Sequence, residues 1–472
     1  MKIYDAIVIG SGQAGTPLAK KLAMAGKKTA IIEKRMVGGT CINDGCTPTK
    51  AMVASAKMAY LAGHSDNLGV HIKNFTVDLP QILKRKNEIV KSFQGGAQKG
   101  LEGTAGLDLI FGEAVFTGPQ AIMVKLKDGG TEEMQADLIF INTGAKTAIP
   151  DVPGLSDIDY LTSTSILELE TVPQHLLIIG ASYIGMEFGQ MFRRFGSKIT
   201  MLETSPRALP KEDEDIAEEI VKILEAEEIT FHADAKVTKV SKKPNGDLEA
   251  EITVVGETRL ISCSHILVAA GRKPQTEALG LQKAGVETDD RGYVKVNDRL
   301  ETNIPGVYAL GDVKPGPAFT HIAYNDYTIV YRNLIEKANL SIKNRLVPYC
   351  MFTDPPLGRV GITEAEAKKQ GLNYKVAKLP MQYVARAIEV GDTRGFMKAI
   401  VDADTKKILG VAILGEEGGE IVSVMQMAMV GGITYPEIRY MVFAHPTYSE
   451  SLNNLFMKLD SLTQPSPKER AF

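Results

Sequence analysis

Residues 4–34 read YDAIVIGSGQAGTPLAKKLAMAGKKTAIIEK, the pattern of a buried strand, a glycine-rich turn, a helix and a second strand. Gly10, Gly12 and Gly15 permit a tight turn and let the backbone approach a pyrophosphate, which then rests on the helix N-terminus. Glu33 ends the second strand, where a carboxylate can accept hydrogen bonds from ribose hydroxyls. The stretch therefore predicts a dinucleotide-binding Rossmann unit.

A second unit of this kind lies at residues 175–205, HLLIIGASYIGMEFGQMFRRFGSKITMLETS. Gly180, Ser182 and Gly185 occupy the three turn positions, and serine is small enough to be tolerated in the middle. Glu203 ends the second strand and favours NADH, because its carboxylate would repel the 2′-phosphate of NADPH. The nearby Arg207 could soften this repulsion. Two units predict two dinucleotide sites, although a duplicated packing unit with one inactive site is the alternative.

The composition is that of a soluble globular enzyme, and 472 residues predict roughly two to four domains. A net charge of -3 gives no indication of nucleic-acid binding. No apolar run reaches the about 18 residues that span a bilayer. A strand pattern that begins at Tyr4 leaves no room for a signal peptide. We therefore expect a cytoplasmic protein without a nucleic-acid or membrane partner.

Three apolar stretches outside these units predict further strands. LIFINTGAKTAIPDVPG (138–154) and ILVAAGRKPQT (266–276) each run into a glycine turn, as where a chain crosses between domains. NIPGVYALGDV (303–313) ends in Gly311 and Asp312, at the end of a parallel strand where ligands bind. Two polar stretches have simpler interpretations: KEDEDIAEEIVKILEAEE (211–228) predicts a helix with a solvated acidic face, and QPSPKERAF (464–472) a frayed terminus.

The sequence has four cysteines, and two of them stand together in GGTCINDGCTPTK, residues 38–50. Cys263 and Cys350 lie in strand-like stretches far apart, so we interpret each as a buried small apolar residue. Cys41 and Cys46 could not bond across a regular helix, because five residues rise about 7.5 Å and a disulfide needs Cα atoms within about 7 Å. Residues 43–45 supply a turn that could bring the two together.

The residues after this pair predict a helix that begins beside Cys46. Thr47 has the character of an N-cap and Pro48 that of a first helical residue. A thiol just ahead of a helix N-terminus has a lowered pKa, so we predict that Cys46 is a stabilised thiolate and that Cys41, on the loop, is the attacking thiol. A zinc site and a structural disulfide are the alternatives. Zinc lacks further ligands of suitable spacing, so no metal site is predicted.

Taken in order, these motifs resemble the class I pyridine nucleotide-disulfide oxidoreductases, the flavoprotein group of dihydrolipoamide dehydrogenase, glutathione reductase and mercuric reductase. The resemblance covers nearly the whole chain. It rests on Gly10, Gly12 and Gly15 with Glu33, the Cys41 and Cys46 pair with Lys50, the run from Gly180 to Glu187, Gly311 with Asp312, and HPTYSE at residues 445–450.

The resemblance implies FAD at the first nucleotide unit and a nicotinamide dinucleotide at the second, where Glu203 favours NAD(H) over NADP(H). Asp312 would hold the ribityl chain of the flavin, and Thr320 and His321 would begin a helix that faces the flavin pyrimidine ring. Lys50 would pair with Glu187 and stabilise negative charge on the reduced flavin. The other cofactor-binding positions implied are Gly39, Thr40, Thr143, Gly144 and Gly271.

The stretch HPTYSE supplies a group for proton transfer. The proline after His445 predicts a helix start, and Glu450 would fall in the first turns of that helix, where it can orient the imidazole. A carboxylate-held imidazole is a general acid and base with a pKa near neutrality. In the resembled families this pair reaches the disulfide of the other subunit, which implies a homodimer.

The implied chemistry is a relay from NADH through FAD and the cysteine pair to an acceptor. GGTCINDGCTPTK and FTDPPLGRVGIT (352–363) resemble the mercuric-reductase-like branch, yet no cysteine follows Cys350, whereas mercuric reductases carry a C-terminal vicinal pair. GPAFTHIAYNDYTIVYRNL (316–334) and FAHPTYSESLNNLF (443–456) resemble the reactive-chlorine-resistance flavoproteins, which are associated with copper(II) reduction. We predict a metal ion or a small disulfide as acceptor. Dihydrolipoamide dehydrogenase is the runner-up, and a flavin-bound redox sensor with little turnover is the third interpretation.

The predicted fold class is α/β, with two Rossmann-like domains that bind FAD and NAD and a C-terminal α+β dimerisation domain. Residues 1–147 and 273–345 would form the FAD-binding domain. Residues 148–272 would form the NAD(P)-binding domain, and residues 346–472 the dimerisation domain.

Overall fold

The computed structural model describes residues 1–244 and 246–459, and it begins with a mainly parallel sheet around the N-terminal strand. The first elements are β1 Lys2–Ile9, α1 Gly15–Met24, β2 Thr29–Glu33, α2 Gly39–Asn43, α3 Cys46–Gly63, α4 Leu79–Glu102, β3 Leu107–Gly118, β4 Ala121–Leu126, β5 Thr131–Ile141 and β6 Ala145–Thr147. β1 runs parallel to both β2 and β5, and β2 runs parallel to β3. Ala6, Ile7 and Val8 of β1 are fully buried, which explains the continuous apolar run that predicts this strand.

The next elements carry the second nucleotide unit. They are β7 His175–Ile179, α5 Tyr183–Phe195, β8 Lys198–Leu202, α6 Glu214–Ala226, β9 Thr230–His232, β10 Ala235–Lys242, β11 Leu248–Val254, β12 Glu257–Cys263, β13 His265–Val268 and β14 Arg272–Pro274. A parallel sheet has the order β13-β7-β8-β9, and β10, β11 and β12 form an antiparallel sheet. β14 pairs with β6, so the two connecting strands lie side by side at the crossing that the glycine turns predict.

The chain then returns to the first sheet and ends in a separate antiparallel sheet. The last elements are α7 Leu281–Ala284, β15 Val307–Ala309, α8 Thr320–Leu334, β16 Tyr349–Met351, β17 Leu357–Gly361, α9 Glu364–Lys369, β18 Tyr374–Pro380, α10 Ala385–Val390, β19 Phe396–Asp402, β20 Ile408–Leu414, α11 Gly418–Gly431, α12 Tyr435–Arg439 and α13 Ser451–Met457. β15 runs parallel to β5. The final sheet has the order β16-β17-β20-β19-β18 and shares a core with α11 and α13. Two Rossmann-like units and an α+β part confirm the predicted fold class, and the boundaries of the four predicted segments stay predictions.

Both nucleotide turns are built in the same way. Gly10 has a φ of +101°, and a Cβ there would overlap the carbonyl oxygen of Asn142. Gly180 has a φ of +105°, and the carbonyl oxygen of Ala269 lies in the corresponding place. A side chain at either position would push the turn away from the neighbouring strand. Glycine is therefore required for the strand and the helix to meet this closely.

The acidic stretch 211–228 forms the predicted helix with exposed acidic residues, but two carboxylates ahead of that helix depart from the prediction. Just before α6 begins, Glu212 and Asp213 are 1% and 4% exposed. Arg359 of β17 explains this burial, because it donates to Glu212 at 2.7 Å and to Asp213 at 2.8 Å. A buried carboxylate requires such a partner, and this one lies on a distant strand of the C-terminal sheet.

Two further expectations concern membrane-spanning helices and the C-terminal stretch. Among the described helices, none is both long and apolar enough to cross a membrane. The stretch 464–472, which the sequence predicts to be a frayed terminus, lies outside the described residues.

Candidate active site

The first nucleotide turn, residues 10–15, lies where the carboxyl end of β1 meets the N-terminus of α1. Glu33, at the end of β2, accepts hydrogen bonds from the N–H and the hydroxyl of Ser11 at 3.0 and 2.6 Å. Gly39 closes the turn from the other side, because a Cβ there would lie 2.7 Å from the Cα of Gly12. Bare backbone therefore lines the space beside the α1 N-terminus, a cradle that fits the pyrophosphate of FAD.

Asp312 lies beside this turn, just after β15. The N–H of Gly311 donates to the buried Asp326 at 2.9 Å, and a Cβ on Gly311 would lie 3.2 Å from the side-chain oxygen of Asn142. The side chain of Asn142 in turn donates to the carbonyl of Gly10 at 3.1 Å. Burial raises the pKa of Asp312, and its carboxylate accepts no hydrogen bond from the described residues. It is therefore available to a polar ligand, which fits the predicted hydrogen bond to the flavin ribityl chain.

Thr143 and Gly144 immediately precede β6, and Gly271 immediately precedes β14. The hydroxyl of Thr143 donates to the carbonyl of Gln275 at 2.8 Å, and the side chain of Gln275 donates back to the carbonyl of Thr143 at 2.8 Å. The N–H of Gln275 donates to Gly144 at 2.9 Å. Thr143 also lies against the first turn, with its Cα 3.4 Å from a Cβ built on Gly10. A cofactor-binding role for these three residues stays a prediction.

The second nucleotide turn repeats the arrangement of the first. Glu203, at the end of β8, accepts hydrogen bonds from the N–H groups of Ala181 at 3.1 Å and Ser205 at 3.0 Å. Ser182 immediately precedes α5, and a Cβ on Gly185 would overlap the turn backbone. Arg207 donates to two carbonyl oxygens of its own loop at 3.1 and 2.8 Å. The guanidinium of Arg207 therefore closes this loop.

The helix boundaries around the cysteine pair differ from the prediction. α3 begins at Cys46 with Gly45 as its N-cap, not at Thr47 and Pro48, and Cys41 lies in the short helix α2 rather than on a loop. Gly45 makes this possible, since a Cβ there would lie 2.8 Å from the carbonyl oxygen of Thr40. Pro48 is tolerated inside the first turn because the N–H groups there have no helical partner.

Cys46 and Cys41 are free thiols, and their pKa values are shifted in opposite directions. The hydrogen bond from Cys41 lowers the pKa of Cys46 to about 6 against the effect of burial, with further lowering by the Thr320 hydroxyl and by Lys50. The same hydrogen bond, together with burial, raises the pKa of Cys41. The Sγ of Cys46 lies 3.4 Å from the Oγ1 of Thr320, the first residue of α8. The pair can therefore carry one stable thiolate, on Cys46.

The structure also brings Lys50 and Glu187 together. Nζ of Lys50, one turn into α3, donates to Glu187 of α5 at 2.6 Å. The second oxygen of Glu187 accepts a hydrogen bond from the N–H of Phe352 at 2.9 Å. The ammonium of Lys50 lies 4.7 Å from the centroid of the Phe352 ring. A positive charge is thus fixed on the helix that bears Cys46.

An aromatic stack, which no local sequence pattern indicates, runs from α8 to α5. The rings of His321, Phe319, Tyr349 and Tyr183 follow one another at centroid distances of 5.4, 5.4 and 5.5 Å. Phe319 directly precedes Thr320, and Tyr183 is the first residue of α5. The stack therefore joins the surroundings of the cysteine pair to the second nucleotide turn. Its members lie on three segments that are too far apart in sequence for a local pattern to link them.

His445 and Glu450 form a pair at the surface. Nδ1 of His445 lies 2.9 Å from Oε2 of Glu450, and the histidine side chain is 68% exposed. The predicted helix start at Pro446 is wrong, because α13 begins at Ser451. The hydroxyl of Thr447 bonds the carbonyl of residue 444 and the N–H of Glu450, which holds this stretch in turns. Among the described residues, Glu450 is the side-chain partner of His445, and neither cysteine of the same subunit contacts it.

An exposed apolar face precedes this pair in the sequence. It comprises Val424, Met427 and Val430 of α11 with Tyr440, Met441 and Val442, of which Val442 is 96% exposed. Clustered exposed apolar side chains are typical of surfaces that contact another protein.

One cluster of carboxylates has the spacing of a metal site, but cations already neutralise it. Asp354 accepts from Arg194 at 2.7 Å, and Glu416 accepts from Lys57 at 2.6 Å. Asp392, the third member of the cluster, is held by Arg394 at 2.6 Å. The cluster therefore ties together the helices α3 and α5 and the C-terminal sheet.

Comparison with known families decides the class of protein. The pyridine nucleotide-disulphide oxidoreductase family matches residues 4–326, and the dimerisation domain of the same family matches residues 347–456. The chain belongs to the pyridine nucleotide-disulphide oxidoreductases. Members of this family are FAD-dependent and use NAD(P)H. The resemblance inferred from the ordered motifs is thereby confirmed.

Similar pyridine nucleotide-disulphide oxidoreductases differ in the activities for which they are named. RclA of Escherichia coli is 38% identical over 460 residues, covering 97% of this chain and 99% of that protein. Mercuric reductase of Bacillus cereus is 35% identical and covers 97% of this chain and 72% of its own length. Dihydrolipoyl dehydrogenase 1 of Arabidopsis thaliana mitochondria is 36% identical, with 96% and 90% covered. A solved Cu(II) complex of the HOCl-induced flavoprotein disulfide reductase RclA from Escherichia coli has a TM-score of 0.89 at 37% identity and covers 98% of this chain and 100% of that chain.

Proposed function

We propose that this chain is an FAD-dependent NADH oxidoreductase that passes electrons through Cys41 and Cys46 to a small acceptor, with copper(II) as the favoured acceptor. The observation that carries the proposal is the position of Cys46. It is the first residue of α3, it contacts Thr320, and it lies one turn before the Lys50–Glu187 ion pair. A thiolate and a fixed cation thus share one helical turn, which is what a dithiol coupled to a flavin requires.

Each residue then has a distinct part in the relay. When bound, FAD would accept hydride from NADH and deliver two electrons to the Cys41–Cys46 disulfide. Lys50, held by Glu187, would keep a positive charge beside the cofactor. Cys46 would remain next to the cofactor as the thiolate, while Cys41 keeps its proton until His445 removes it for attack on the acceptor.

Copper(II) would be reduced without any group transfer. Two ions each take one electron, the two sulfurs join as a disulfide, and one proton is released, from Cys41, because Cys46 is already a thiolate. Thiolate is a ligand that suits the Cu(I) formed. A relative 37% identical over nearly the whole chain has been solved as a Cu(II) complex, which supports this acceptor.

A small dithiol of the dihydrolipoamide kind, or its disulfide, is the second candidate, and the exposed His445–Glu450 pair favours it. Dithiol–disulfide exchange needs a base that takes up and returns a proton near neutral pH. We propose that this base serves the partner subunit, because a second copy would cover the exposed apolar face at residues 424–442. We also propose a cytosolic location, because the cytosol keeps thiols reduced and this enzyme would use NADH to regenerate a dithiol.

A comparison of acceptors on the purified holoenzyme tests the proposed function. NADH oxidation would be measured with copper(II), mercuric ion, lipoamide and oxidised glutathione. We expect kcat/KM for copper(II) to exceed the others by about tenfold or more. The Cys46→Ser holoenzyme is the control, since it should lose copper(II) reduction. Copper(II) reduction that persists in this variant would show that the dithiol is bypassed, and a preference for lipoamide would establish the second candidate.

The charge at Glu203 predicts the coenzyme preference. Glu203 directly follows β8, where the adenosine ribose would lie, whereas Nη2 of Arg207 donates to two carbonyl oxygens of its own loop. We expect NADH to be preferred over NADPH by at least about tenfold in kcat/KM, which corresponds to about 1.4 kcal/mol. Glu203→Arg should narrow or invert this ratio. Glu218→Arg, on the exposed side of α6, is the matched charge reversal and should leave it unchanged. Equal use of both coenzymes by the unaltered enzyme would contradict the assignment.

A further inference from the structure

Three side chains on one side of α5 form hydrogen bonds to residues 352–354, near the start of the C-terminal sheet. Glu187, Gln190 and Arg194 are spaced by three and four residues, so their side chains lie along the same side of the helix. Glu187 accepts the N–H of Phe352 at 2.9 Å. Gln190 bonds both the N–H and the carbonyl of Asp354 at 2.8 Å, and Arg194 donates to the carboxylate of Asp354 at 2.7 Å. The backbone of residues 352–354 is therefore fixed relative to α5.

These hydrogen bonds fix the backbone at a place from which the ring of Phe352 reaches Lys50. The residue is 41% exposed, which is high for a phenylalanine whose backbone is so firmly held. Its ring centroid lies 4.7 Å from Nζ of Lys50, within the about 6 Å at which a cation is attracted to an aromatic face. Glu187 holds the same ammonium at 2.6 Å. Lys50 is thus held between the carboxylate of Glu187 and the ring of Phe352, and the backbone N–H of Phe352 donates to the same carboxylate.

We infer that Phe352 is a positioning residue for Lys50 in the reduction of the flavin. A lysine carries a compact charge on a flexible stem, so one carboxylate contact alone leaves several rotamers open. The ring removes that freedom and keeps the ammonium where negative charge develops on reduction. This inference rests on the proposed relay. It adds Phe352 to that relay, a residue that is far from Lys50 in sequence and contacts it in the folded protein.

The Phe352→Leu holoenzyme tests this role. Leucine keeps an apolar side chain but has no ring face for the cation. We expect flavin reduction by NADH to slow about tenfold. The two-electron potential of the bound flavin should become more negative by about 30 mV, the equivalent of a tenfold change in its equilibrium constant. Phe352→Tyr, which keeps the ring, should retain both values. Phe93→Leu, at an exposed phenylalanine of α4, is the matched control and should change neither.

A double-mutant cycle shows whether the ring acts through Lys50. In a Lys50→Met background, Phe352→Leu should cause no further change in rate or potential. A full additional effect in that background would overturn the inference, as would an unchanged potential in Phe352→Leu or an equal loss in Phe352→Tyr. The proposed function fails separately: it is contradicted when the unaltered holoenzyme is not reduced by NADH at all.

Discussion

Replacement of Cys46 by serine is expected to abolish acceptor reduction and to remove the long-wavelength absorption band that a thiolate gives beside an oxidised flavin. Cys41→Ser should also abolish acceptor reduction but keep the band, even without added reductant. The reason is the opposite acidity of the two thiols, because the pKa of Cys46 is lowered to about 6 and that of Cys41 is raised. Anaerobic absorption spectra of the two holoenzymes measure the difference.

The lowered pKa of Cys46 determines how the long-wavelength absorption band depends on pH. In the two-electron-reduced enzyme the band should persist above about pH 6 and fade as the pH falls through that value, because Cys46 then takes up a proton. Cys263→Ala is the matched control, since this thiol is buried and its pKa is raised to about 12. A band that survives in Cys46→Ser but not in Cys41→Ser would reverse the two roles.

His445→Ala is expected to slow dithiol or disulfide turnover by roughly 10²–10⁴, the usual range for general acid and base catalysis. Flavin reduction by NADH should remain nearly unchanged, because His445 contacts neither cysteine within its own subunit. Stopped-flow measurement of each half-reaction separates the two steps. His71→Ala is a close control, because His71 is also largely exposed and pairs with Asp66 at 2.8 Å. Loss of both half-reactions in His445→Ala would mean that the residue is structural.

Mixed dimers identify the subunit on which His445 acts. Cys41→Ser and His445→Ala subunits would be unfolded together and refolded as a mixture. A mixed dimer then contains one site with both native groups, provided that the histidine serves the partner. Random pairing should restore about a quarter of the unaltered turnover. No restoration is possible if His445 serves its own subunit, since neither chain then has both groups.

The sequence predicted those parts of the molecule that depend on local chemistry. The glycines of the two turns and the acids Glu33 and Glu203 were found because a strand, a turn and a helix must follow one another within about thirty residues. The same holds for the start of α8 at Thr320, which the motif order implied. The structure places these residues as expected, and the family comparison confirms the fold.

Predictions failed where a distant residue overrides a local preference. The helix after the cysteines starts two residues earlier than expected, because Gly45 packs against the backbone of Thr40. Glu212 was expected in solvent, yet Arg359 of another sheet buries it. No local sequence pattern indicates the contact of Phe352 with Lys50, for the same reason. No periodicity or motif records a pairing between elements so far apart in the chain.

The contacts of α5 also limit which chimeras of this protein with its relatives could fold and function. The first residue of this helix belongs to the second nucleotide turn, Glu187 engages Lys50, and Arg194 near its end holds Asp354 of the C-terminal part. A chimera that imports a foreign nucleotide-binding segment would therefore also need matching partners on α3 and at residues 352–354. The nucleotide-binding segment is not an interchangeable module, and recombination with a relative would succeed only where all three contact points are inherited together.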